Sequence, residues 1–138
     1  MASGRPGRAK LKQRSEQRKL KKQPPLGVAV VFPYSSHILL LRYWLASAGI
    51  EPDRDVTIVV LPPSQMVDHL RLGHIHGFFA GEPWNALATA DGIGRCVATG
   101  RDIWQNAPNK VLGVTADWAR SNPDTLDALL RALYQAGV

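Results

Sequence analysis

From Leu26 onward the chain alternates short unbroken apolar runs with stretches whose apolar residues recur every three or four positions. The first pattern predicts strands covered on both faces, the second helices with one buried side. Val28 to Phe32 is the first apolar run; Pro33 closes it, and from Ile38 to Leu45 only Arg42 is charged. A helix of that composition is buried on most sides. Gly49 stops it, and Glu51 to Asp55 forms a polar loop around Pro52. Val56 to Leu61 predicts a second strand, closed by Pro62 and Pro63, and Ser64 then caps a short helix in which Met66, Val67, Leu70 and Leu72 share a side.

A third strand is predicted over Ile75 to Ala80, a helix from Pro83 to about Ala90, and a fourth strand over Arg95 to Thr99. A long irregular loop from Gly100 to Asn109 leads to a fifth strand, Lys110 to Val114, and a helical turn around Asp117 to Ala119. The last helix opens at Asn122 and Pro123 and carries Leu126, Leu129, Leu130 and Leu133 as one stripe. Alternating strands and helices over these 113 residues predict one α/β domain, residues 26–138.

The chemistry concentrates in the strand-to-helix turns. Ser35 and Ser36 are helix-cap residues, and His37 falls in the first helical turn. Hydroxyls, an imidazole and free backbone N–H groups at the carboxyl end of a strand form a site for a small anion. The plainer reading leaves the serines as caps and His37 as a packed side chain. Ala80 to Asn85, AGEPWN, is a second such turn: Gly81 admits close approach of a ligand to the backbone, and Trp84 either lines a pocket or belongs to the core. Glu82 suits an anion site only if it points away, caps the helix or holds a donor. In TGRDIWQNAPNKVLGV, Lys110 enters an apolar strand and is either a cationic contact for an anion or a side chain that snorkels to the surface.

Charge divides the chain at Pro24 and Pro25. Residues 1–25 hold nine Lys/Arg against Glu16 alone, while the rest carries two more acids than bases. So basic a segment with so few apolar residues is expected to be a disordered tail, with phosphate contacts to nucleic acid or an anionic surface as the alternative. It offers no aromatic residue to stack on bases. No apolar leader or membrane-length run is present, so the chain as written is expected in the cytoplasm. His69, His74 and His76 with Asp68 do not complete a recognisable metal site, and Cys96 is read as a small core residue in a strand. No GxSxG elbow, Walker loop, GxGxxG or paired carboxylates recommend an enzyme, and no cofactor is expected.

FPYSSH followed by LRYWLASAGI, then DRDVTIVVLPPSQMV, GHIHGFFAGEPWN and ATGRDIWQNAPNKVLGVTADW, together resemble the nitrate/bicarbonate-type substrate-binding proteins of ABC importers and the related cytoplasmic nitrate sensors. The resemblance spans Leu26 to Val138. It implies a type II periplasmic-binding-protein fold, in which two α/β lobes close on an oxyanion, with this chain supplying the second lobe as a mostly parallel sheet flanked by helices. It also implies that His37, Gly81 and Lys110 reach the anion, whether nitrate, nitrite or bicarbonate, and that an ABC permease or a regulatory protein is the partner. Importers of this kind act outside the inner membrane.

The first lobe has no counterpart here, and the basic segment is unlike the family. A truncated or mis-started gene product, a remnant or a genuine single-lobe protein is expected, with weak binding and exposed apolar surface, Trp44, Trp84 and Trp104 among it. The superfamily also contains pyrimidine-precursor synthases of thiamine biosynthesis, which would bind pyridoxal cofactor through a histidine or lysine.

Overall fold

The computed structural model describes residues 5–107 and 110–137. They form two compact units, divided between Ala107 and Pro108. The first unit contains α1 (Arg5–Leu20), β1 (Leu26–Val30), α2 (Ser36–Ser47), β2 (Val56–Val60), α3 (Pro63–Arg71), β3 (Gly77–Phe79), α4 (Trp84–Ala90) and α5 (Gly100–Ile103). The second contains α6 (Ala116–Ser121) and α7 (Pro123–Ala136).

The three strands make a parallel sheet in the order β2-β1-β3. Leu26 pairs with Val56 and Val30 with Val60 on one side of β1, and Val30 with Phe79 on the other. Because β1 is central, its alternating side chains feed two cores. Leu26, Val28 and Val30 pack with Leu41, Trp44, Leu45 and Ile50, while Ala29 packs with Met66, Ile75 and Ala80. The unbroken apolar run of β1 is thereby explained: both of its faces are buried. Gly49 and Gly73 follow the ends of α2 and α3 with φ of +71° and +73°, a conformation that suits glycine at a helix stop.

The basic segment differs from the disordered tail its composition predicts, since Arg5 to Leu20 is helical; residues 1–4 lie outside the described residues. Its Ala, Lys, Gln, Arg, Glu and Leu residues are strong helix formers, and one face finds partners. Arg8 donates to Ser47 Oγ at 3.0 Å, Leu11 packs on the core of β1 and α2, and Ser15 donates to the Asp55 carbonyl at 3.1 Å. Lys19 Nζ lies 2.6 Å from Asp55 Oδ1. These contacts recur at helical spacing, which net charge does not report.

Two predicted strands are not formed. Residues 95–98 line a cavity near β3 instead of pairing with it, so Cys96 is exposed and lies in no strand. Residues 110–114 form no ladder, and the second unit has no strand among its described residues for them to pair with. The loop expected after Gly100 begins with α5, held by a capping box in which Thr99 and Asp102 exchange backbone and side-chain bonds; residues 108 and 109 at its end lie outside the described residues. In α7, Leu129, Leu130 and Leu133 are exposed, and the stripe predicted there is a surface feature. Of the three tryptophans expected in an apolar patch, Trp44 is buried, Trp84 half-buried and Trp104 exposed.

His76 extends the β1–β3 pairing: its N–H donates to the Gly27 carbonyl at 2.8 Å, and its Nδ1 accepts the Gly27 N–H at 3.0 Å. Only an unprotonated Nδ1 makes that second bond. Burial first, then the charges of Arg18 and Arg14, lowers its pKa below 6.5. The unfolded chain therefore takes up this proton at a higher pH than the folded one. The stabilisation is complete above pH 6.5 and lost as pH falls through the folded value. Urea midpoints followed from pH 7.5 to 5 are expected to drop more steeply for the wild type than for His76→Asn; parallel curves would show that His76 carries no linkage.

Candidate anion-binding site at the ends of β1 and β3

β1 and β3 are parallel neighbours, so the turns that leave their carboxyl ends lie side by side. The connection through α2 leads to β2 on one flank of β1, and the next one, through α3, crosses to β3 on the other flank. The two strands therefore bound a topological switch point, where open α/β sheets hold ligands. Ser35, Ser36, His37, Gly81 and Trp84 all belong to these two turns.

Ser35 is the N-cap residue of α2, with extended backbone, but its hydroxyl donates to the Phe32 carbonyl at 2.9 Å and makes no cap bond. The first turn of α2 holds no acidic residue. Ser36 opens the helix and is half-buried, as is His37, whose ring meets that of Phe79 with centroids 5.7 Å apart and planes tilted by 54°. This contact ties the start of α2 to the last residue of β3. His37 lies at a junction of two elements, at the helix end where an anion is stabilised by the macrodipole.

Gly81 is exposed, and a Cβ added there would meet nothing within 4 Å. Packing does not demand a glycine at this position. Glu82 has a defined job: its Oε2 accepts the Ala86 N–H at 3.0 Å, so a carboxylate already sits at the start of α4. Of the three roles the sequence left open for Glu82, the structure has it cap the helix, and the backbone at Gly81 is what the turn offers a ligand. Asn85, which sequence reasoning passed over, donates to the Ala80 carbonyl at 2.8 Å and fixes the turn. Trp84 packs with Ala29, Met66, Ile75 and Ala80 as a core contributor.

Lys110 belongs to the second unit, is exposed and does not enter a strand. Among the described residues no three of His, Cys, Asp and Glu are grouped to hold a metal ion. His69 and His74 meet edge-on with centroids 5.3 Å apart.

A parallel sheet flanked by helices is an α/β architecture that periplasmic binding proteins share with other open-sheet folds. The chain superposes on the crystal structure of the periplasmic nitrate-binding protein NrtA from Synechocystis PCC 6803 with a TM-score of 0.74 and 36% identity, over 93% of this chain and 32% of that one. It belongs to the NMT1-like family, whose model matches residues 2–138. The match includes the basic N-terminal segment, which the resemblance seen in the sequence did not.

Two relatives place it more narrowly. It is 51% identical over 109 residues to the bicarbonate transport ATP-binding protein CmpC of Synechocystis sp., covering 79% of this chain and 16% of that protein. It is 42% identical over 113 residues to the nitrate/nitrite binding protein NrtA of Synechococcus elongatus, covering 82% and 26%. The chain thus spans 16% and 26% of these relatives' lengths. No helix among the described residues is long and apolar enough to cross a membrane.

Proposed function

We propose that the first unit carries one wall of a binding site for a small oxyanion, nitrate first among nitrate, nitrite and bicarbonate, as part of a substrate-binding or sensing protein of an ABC importer. The juxtaposition of the α2 start and the Gly81 turn on adjacent parallel strands carries this reading. His37 is the side-chain donor, the first-turn amides of α2 add the helix field, and Gly81 lets the anion approach the backbone. No catalytic step is proposed: NrtA, the relative named for binding nitrate, is a binding protein.

Membership of the NMT1-like family supports the reading, and so does the recurrence of this segment in a protein named for ATP binding and in one named for nitrate binding. The chain has no Walker loop, so what it shares with the ATP-binding protein is not that nucleotide motif. Delivery to a permease and reporting to a regulatory protein are both roles for a module of this kind.

Affinity follows from the number of contacts. Charge-assisted hydrogen bonds contribute roughly 1.5 to 3 kcal/mol each. Two or three on one open wall fall short of the about 8 kcal/mol that micromolar binding requires once association is counted. Nitrate titrated into the intact chain is expected to move amide resonances around residues 36–38 and 80–82 with a millimolar midpoint. His37→Ala and Gly81→Val are expected to abolish those shifts while the remaining spectrum stays dispersed. Shifts elsewhere, or unchanged shifts in both variants, would refute the site.

A further inference from the structure

A cavity of about 610 Å3 lies among α1, β3, α4 and the run of residues 93–98, within the first unit. Its size is that of a small-molecule site. Most of its lining surface is apolar, contributed by residues such as Val28, Leu45, Phe78 and Ala88. The charged residues of the lining are Lys10, Arg14 and Arg95, and no Asp or Glu lines it. None of these three cations forms an ion pair among the described residues. An open, mostly apolar cavity whose charged residues are three exposed cations attracts a molecule that combines an apolar body with a negative charge.

We propose that this cavity binds a monocarboxylate with an apolar body of roughly ten carbons, its carboxylate held by Lys10 and Arg14 of α1 and its body against Trp44 and Phe78. The ligand is chemically distinct from an inorganic oxyanion, and the site is distinct from the turns at the ends of β1 and β3. Because α1 supplies both cations, binding holds α1 against the sheet.

Decanoate titrated calorimetrically into the intact chain tests the proposal, with decanol as the neutral probe of the same length. Decanoate is expected to bind with a submillimolar dissociation constant and decanol at least fivefold more weakly. Arg14→Gln is expected to weaken decanoate about five- to tenfold, and Arg120→Gln, in the second unit, to leave it unchanged. Circular dichroism checks the fold of each variant, and Lys10→Gln decides the matter if Arg14→Gln does not fold. No binding of decanoate, equal affinity for decanol, or folded Arg14→Gln and Lys10→Gln variants with wild-type affinity would overturn it.

Discussion

Asp55→Ala is expected to lower the stability of the first unit by about 2 to 3 kcal/mol and to release α1. This carboxylate is 7% exposed and collects three donors: Lys19 Nζ at 2.6 Å, the Glu51 N–H at 3.0 Å and Arg54 Nε at 3.1 Å. Lys19, then the Glu51 amide, then Arg54 hold its pKa down at about 2, against the opposing effect of burial. A depressed carboxylate stabilises the fold fully above its unfolded pKa of 3.8, and the contribution is lost as pH falls through about 2. Lys19 is half exposed, which keeps the loss below that of a fully buried pair. Asp55→Asn retains an acceptor for the Glu51 amide and is expected to lose less. Urea unfolding at neutral pH measures the loss, and the gap between wild type and Asp55→Asn should close between pH 4 and 2. Limited trypsin digestion reads the second consequence, since α1 carries many cleavage sites. An Asp55→Ala variant with an unchanged midpoint and an unchanged digestion pattern would mean that α1 is held by other contacts.

Leu45→Ala is expected to cost about 3 kcal/mol or more. Leu45 is fully buried in the cluster that joins α2 to Leu26, Val28 and Val30 of β1 and to Val56 of β2. Truncation removes the transfer energy of the lost carbons and leaves a void at the joint of strand, helix and strand. Leu45→Met, of similar volume, is expected to cost less than about 1.5 kcal/mol. Equal midpoints for the two variants would show that this core collapses around the loss and is looser than its burial indicates.

The first three strands and the helices between them were legible because each rests on a signal that tertiary structure rarely reverses. Within the run at Val28 to Phe32, Val28 to Val30 are buried on two faces while Phe32 is exposed, and Gly49 and Gly73 sit where helices end. The strands expected at residues 95–99 and 110–114 failed for a common reason: an apolar run states a need for burial but does not name a partner strand. Thr99-x-x-Asp102 is a capping signature that was on the page, but it was read as the end of a strand and the start of a loop. For α1 the misleading quantity was net charge, because docking depends on which four residues face the sheet and not on how many cations the segment holds.

The candidate site shows the same division. His37 and Gly81 were singled out from the grammar of strand-to-helix turns, and the placing of those turns on neighbouring strands follows from the strand order, which periodicity does not reveal. The role of Glu82 was a choice among three options that only the Ala86 contact resolves. Asn85 left no signal beyond its place in the turn.

The link between α1 and Asp55 joins residues whose separations in sequence are large, with Ser15 and Asp55 forty positions apart, whereas Arg42 grips Asp53 with both guanidinium nitrogens across only eleven. Short closures are made sooner than long ones. α1 is made before its anchor, which follows forty residues later. Between those moments it is a cationic segment without its acidic partner, so an early-made helix is placed late.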